Sequence, residues 1–162
     1  MKFLEKDLEE IIFNSCNYSL QERGLDIQGT LKRQLRIGNY GIADLVSFER
    51  IRTPMGVVVH IKVYELKKDT VNISAFMQAI GYVKGIKSFL QKRGINYEVV
   101  FSICLIGREI NKNSTLVYLP ELLVMDDLYT GYGFLTMYDY NYDIDGLVFN
   151  EVECYSLTNE GF

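Results

Sequence analysis

The chain has 162 residues, 48% of them hydrophobic and 23% charged, with a formal net charge of −4. This suits one soluble globular domain spanning residues 1–162 and excludes a disordered chain. No stretch approaches the roughly 18 unbroken apolar residues of a membrane-spanning helix, so no membrane partner is expected, and the acidic opening Met1-Lys2-Phe3-Leu4-Glu5-Lys6-Asp7 leads to the expectation of no secretion by a signal peptide.

In chain order, residues 3–13 read as a helix, with Leu4, Leu8, Ile11 and Ile12 at helical spacing. Residues 14–30, rich in Asn, Ser and Gly, read as a connector. Leu31–Ile37 and Ile42–Phe48 read as two strands around the turn Gly38-Asn39-Tyr40-Gly41. Arg50–Met55 reads as a polar turn, and Val57–Leu66 as a strand dense in branched residues. Asp69, Thr70 or Asn72 can cap a helix running to about Arg93, stopped by Gly94. Val99–Ile106 has the continuous apolar run of a buried strand. Leu116–Leu119 reads as a short strand or turn, and Leu135–Tyr140 with Gly146–Glu153 as a closing hairpin. Strands and helices in this alternation predict an α/β or α+β sandwich.

Three cysteines (Cys16, Cys104 and Cys154) are widely spaced, and His60 is the single histidine. Structural zinc, which takes about four closely spaced Cys or His ligands, is excluded. A disulfide framework is not expected, and reduced thiols point to the cytoplasm. His60 lies in a strand-like run and reads as a packing or solvent-facing residue. Charge is uneven: all 17 Lys and Arg fall in residues 1–112 beside 12 acids, whereas residues 113–162 carry nine acids and no cation. This predicts a basic, anion-facing surface with the acidic C-terminal part lying away from it.

Strand alternation places Val57, Val59, Ile61, Val63, Glu65 and Lys67 on one face, apolar until a carboxylate and an ammonium at its end. In the preceding strand Asp44 shares a face with Ile42, Val46 and Phe48. Charges at the rim of an apolar face need a partner or a function. Two carboxylates brought together repel unless a cation lies between them, and hard oxygen ligands suit Mg²⁺ or Mn²⁺. Such an ion polarises a phosphate, and a lysine beside it orients or deprotonates a water or offsets developing charge. Asp44 with Glu65-Leu66-Lys67 is thus a candidate phosphodiester-hydrolysis site.

Gly41-Ile42-Ala43-Asp44, Glu65-Leu66-Lys67 and the following Gln78-Ala79-Ile80-Gly81-Tyr82 together resemble the PD-(D/E)xK nuclease superfamily. The likeness is greatest to its archaeal structure-specific endonuclease and RecB-like branches, over roughly residues 3–150, with Ala43 where the namesake motif has Pro. It implies an α/β fold of restriction-endonuclease-like type, a mixed central sheet flanked by helices, and a Mg²⁺- or Mn²⁺-dependent nuclease acting on DNA. By this resemblance Asp44, Glu65 and the Leu66 carbonyl hold metal, Lys67 positions the attacking water, and Glu5 is the helix-borne acid. Glu9 lies one turn away and is the alternative to Glu5. Gln78 and Tyr82 match the helix motif of the RecB-like branch.

Ser74, Gln78 and Tyr82 lie along one helix face by their spacing of four, so they can approach the same site. Lys32, Arg33 and Arg36 on the first hairpin strand, and Lys84, Lys87, Lys92 and Arg93 on the long helix, are candidate phosphate contacts. The alternatives are a catalytically inactive domain of the same fold that binds nucleic acid or a protein, and a protein that uses its tyrosine-rich C-terminal region (Tyr129, Tyr132, Tyr138, Tyr140 and Tyr142) as an interface. A homodimer is compatible with either.

Overall fold

Two long strands dense in β-branched residues organise the chain, and helices cover both of their faces. The computed structural model describes residues 3–95, 97–111, 116 and 134–152. In chain order the elements are α1 (Glu5–Asn14), α2 (Asn17–Glu22), β1 (Thr30–Arg36), a 3₁₀ turn (Gly38–Tyr40), β2 (Ile42–Thr53), β3 (Gly56–Leu66), β4 (Thr70–Val71), α3 (Ile73–Lys92), β5 (Glu98–Gly107), β6 (Glu109–Ile110), β7 (Leu135–Asp143) and β8 (Gly146–Glu151).

The fold is α/β. Its mixed six-stranded sheet has the order β1-β2-β3-β5-β7-β8, with β3–β5 and β5–β7 parallel and the other neighbours antiparallel. β4 and β6 form a separate two-stranded parallel ladder. Strand alternation divides the core. Val46, Ile61, Val63, Ile103 and Leu105 pack under α3 through Phe76, Ala79, Val83 and Ile86. Leu45, Tyr64, Leu66, Cys104 and Ile106 pack under Leu8 and Ile12 of α1 and Leu20 of α2. Each fully buried aliphatic side chain contributes about 1.5–3 kcal/mol, so these clusters hold both helix layers on the sheet. Among the described residues no helix is long and apolar enough to cross a membrane.

The structure corrects several expectations. The residues read as a polar turn at Arg50–Met55 belong mostly to β2, which runs to Thr53 and pairs Arg50 with Val59 and Arg52 with Val57. Charged side chains on this part of the hairpin are exposed and hide its strand character. The connector 14–30 contains α2, capped by the Cys16 sulfur, which accepts the Ser19 N–H; it buries Leu20 alone and so lacks a periodic signal. In α1 Leu8 and Ile12 are fully buried but Leu4 and Ile11 are exposed, and Glu9 shares the buried stripe. Asn72 is the cap of α3, its Oδ1 accepting the Ser74 N–H at 3.1 Å. Of the segment 116–119 only Leu116, which is buried, lies within the described residues; Tyr129, Tyr132 and Cys154 lie outside them.

α3 approaches the β1–β2 turn closely at Gly85, where an added Cβ would lie 2.5 Å from Ile37 Cγ2 and 2.7 Å from Tyr40 Cδ2. At Gly81 an added Cβ meets nothing within 4 Å. Alanine is favoured over glycine in a helix by about 1 kcal/mol, and overpacking costs about 1–3 kcal/mol. Gly81→Ala is therefore expected to raise the thermal unfolding midpoint and Gly85→Ala to lower it, as measured by circular dichroism.

Candidate active site

The register of the central hairpin brings the two candidate metal ligands together. Pairing of β2 with β3 begins at Thr53↔Gly56 and ends at Leu45↔Tyr64. One step beyond that last pair stand Asp44 and Glu65. The backbone is irregular there: the β1–β2 ladder pairs Arg33 with Leu45 and Leu35 with Ala43, but skips Gln34, which has a φ of +49°. Ala43 and Val46, three residues apart, both join the α3-side cluster, so alternation slips at Asp44. Irregular backbone of this kind is costly and persists where surrounding packing enforces it.

Asp44 Oδ2 accepts the Leu66 N–H at 3.0 Å. Burial raises its pKa, opposed by that N–H and the Lys67 charge and reinforced by Glu9 and Glu5. Glu65 is 2% exposed. Burial and the neighbouring Asp44 push its pKa up to about 7, against the pull of Lys67. Lys67 Nζ donates to Glu65 Oε1 at 2.9 Å, so strand alternation places the two groups on one side. Burial alone would lower the Lys67 pKa, but Glu65, Glu5 and Asp44 outweigh it and hold it above its ordinary value. Lys67 is thus an ammonium at neutral pH.

Glu65 Oε2 is buried without a hydrogen-bond partner. A bare carboxylate oxygen beside a second carboxylate fits a hard divalent cation, which would supply the missing partner and relieve the repulsion. Asp44 and Glu65 can hold such an ion with the Leu66 carbonyl. Among the described residues no three His, Cys, Asp or Glu side chains form a ready metal cage. Mg²⁺ usually keeps several waters and takes one or two carboxylates, so two suffice.

Both helix acids, Glu5 and its alternative Glu9, raise the Asp44 pKa, Glu9 more than Glu5. They differ in what else they do. The Glu9 carboxylate is buried, accepts the Gln34 amide, and lies 3.4 Å from Arg33 Nε. Glu5 is exposed and also acts on Glu65 and Lys67. From α3, Tyr82 feels both Glu65 and Asp44, and its hydroxyl accepts the Gln78 amide at 2.7 Å. Gln78 thus bonds Tyr82. Ser74 is occupied at the helix cap, where its hydroxyl bonds Asn72.

The candidate cations are all exposed, but some also contact a carboxylate or an aromatic ring. Lys32 and Arg36 are exposed on β1, next to the strand that carries Asp44. Arg33 pairs with Glu9 and stacks 5.3 Å from the Phe13 ring centroid, so it braces α1 against β1. Lys87 and Arg93 lie over Phe101 and Phe89. Gln34, unmarked in the sequence, is the residue whose backbone breaks the ladder beside Asp44 and whose amide holds Glu9.

His60 takes no part in this site. It is buried, with Nε2 2.7 Å from Ser102 Oγ and Nδ1 3.7 Å from Glu49 Oε2. Cys104 is buried too, its thiol pushed up to about 11 by that burial, so it is no nucleophile at neutral pH.

The chain matches no family model, no curated protein and no solved structure.

In the metal-free protein Glu65 binds its proton more tightly when folded. Its contribution to stability is complete below its ordinary value of 4.5 and is lost as the pH rises through about 7. The loss is on the order of 3 kcal/mol. Denaturant titrations without divalent metal should show stability falling between about pH 5 and pH 7.5, with a flatter profile for Glu65→Gln. Added Mn²⁺ should stabilise the parent more at the upper end of that range, and a metal response identical in Glu65→Gln would contradict the ligand assignment.

Proposed function

We propose that this chain is a metal-dependent nuclease that hydrolyses phosphodiester bonds in DNA, of the PD-(D/E)xK type that its motifs resemble. The observation that carries this reading is the buried, unpartnered Glu65 Oε2 beside Asp44, with the Lys67 ammonium on the other Glu65 oxygen. Asp44 and Glu65, with the Leu66 carbonyl, hold Mg²⁺ or Mn²⁺. When bound, the ion polarises the phosphate and concentrates positive charge where negative charge develops.

The remaining chemistry falls to the chain's own groups. Lys67, an ammonium held beside Glu65, donates to the attacking water or to a phosphate oxygen and offsets the charge that builds there. It cannot take a proton while the unneutralised carboxylates keep it charged. Glu5 is the exposed acid available at the helix side. Tyr82, steadied by Gln78, offers its hydroxyl to the phosphate from α3. Lys32 and Arg36 contact the DNA backbone, while Arg33 acts chiefly by holding Glu9. The thiols of Cys16 and Cys104 are free, which fits a reducing cytoplasm.

Lys67→Ala should slow Mn²⁺-dependent cleavage by about 10²–10³-fold with DNA binding largely retained, as read by a labelled-DNA cleavage panel beside a binding titration. Binding without cleavage in the parent, unchanged by Lys67→Ala, would instead identify a non-catalytic nucleic-acid-binding domain. Replacing Lys32 and Arg36 together by Ala should weaken binding and make it less sensitive to salt, because each phosphate contact releases counterions.

A further inference from the structure

The two edges of the central sheet carry surfaces of opposite character. At one edge, the turn between β7 and β8 holds Ile144 entirely in solvent, at 100% exposure. Asp143 and Asp145 flank it, so the tip is an apolar knob between two acids. The turn is braced from within. Asp143 Oδ1 accepts the Asp145 N–H at 2.8 Å, and Arg23 Nη1 donates to the Asp145 and Leu147 carbonyls at 3.0 and 3.2 Å. Ile144 is therefore presented on a shaped backbone, and covering it costs little further ordering.

At the other edge, a cavity of about 460 Å³ lies where the second half of α3 passes the β1–β2 turn. Its lining is mostly apolar and includes the buried Ile37 and Ile86 and the half-buried Phe48. Phe89, also in the lining, is 52% exposed. The charged groups of the lining are Arg36 and Lys92, both exposed, and no acid is among the described residues that form it. An apolar hollow beside two cations thus matches an apolar knob between two acids. Hollows of about 300–1,000 Å³ admit organic groups, so a branched side chain has room.

One molecule cannot bring its own two surfaces together. β1 and β8 stand at opposite ends of the strand order, five strand spacings or about 24 Å apart. We propose that the β7–β8 tip of one copy docks in the α3 cavity of a second copy, with Ile144 against Phe48 and Phe89 and the two aspartates at Arg36 and Lys92. The two surfaces differ, so the contact is heterologous. It leaves one tip and one cavity open at the ends of any pair, and association continues head to tail into a ring or filament instead of stopping at a two-fold dimer. The area of one turn is small, so assembly needs concentrated protein.

The test is sedimentation velocity from low micromolar to submillimolar protein, without divalent metal and without nucleic acid, because Arg36 is also a proposed DNA contact. The parent should sediment faster with rising concentration and pass beyond the dimer, less so in high salt, which screens the charge pairs. Ile144→Lys should weaken association by about 10- to 100-fold, as expected for one branched side chain no longer buried. Phe89→Glu should weaken it similarly from the cavity side. Mixed together, these variants offer one intact cavity and one intact tip. They should form a heterodimer with the parent's affinity and nothing larger. Both positions are exposed, so both variants should fold; thermal melts verify this, and Lys92→Glu replaces Phe89→Glu if that variant melts early. A parent that stays monomeric overturns the proposal, as does association that Ile144→Lys leaves unchanged. A mixture that stays monomeric, or one that grows beyond the dimer, overturns it as well.

Discussion

Two carboxylates share the end of one hairpin, and the protein leaves their repulsion only partly compensated. Asp44 and Glu65 are one register step beyond the last pair of β2 and β3, where the sheet and both helix layers exclude much of the water. The backbone N–H of Leu66 steadies Asp44 and the Lys67 ammonium steadies one oxygen of Glu65. The other Glu65 oxygen receives no bond. Charge buried without full compensation is costly, and such groups cluster where chemistry is done.

The neighbouring structure keeps that arrangement in place. Gln34 leaves the β1–β2 ladder opposite Asp44 and turns its amide to Glu9, while Arg33 joins Glu9 and Phe13. α1 is thereby clamped to β1 by a buried acid already satisfied by the protein, and Glu5 is left exposed one turn earlier. On the other side, Gly41 has a φ of +112°, and a Cβ there would lie 3.3 Å from the Tyr82 ring. Glycine lets the chain enter β2 in that conformation and lets Tyr82 close over it, within electrostatic reach of both carboxylates.

The sheet order also separates the charged regions. Lys32 and Arg36 lie on β1, the edge next to β2, whereas β7 and β8, which carry Asp139, Asp143, Asp145 and Glu151 in or between them, lie beyond β5 at the opposite edge. The described part of the acidic C-terminal region is therefore held away from the cationic edge strand by the central parallel strands. Three further exposed cations, Arg33, Lys87 and Arg93, each contact a carboxylate or an aromatic ring.

The sequence by itself determined the central strands, the long helix with Asn72 as one of three candidate caps, and the common side of Glu65 and Lys67. Each follows from local rules: branched residues favour strands, side chains alternate with a period of two, and a capping side chain must precede the helix. It could not reveal α2 or the full length of the β2–β3 hairpin, because their polar exposed residues carry no periodic apolar signal. Tertiary structure alone decided how near Asp44 comes to Glu65, since that depends on where hairpin pairing stops and on the break at Gln34. It also decided that Glu9 is occupied while Glu5 is open, and that Arg33 is a brace. Those outcomes depend on which polar groups meet after α1 docks on the sheet, a long-range consequence of packing that residue spacing does not encode.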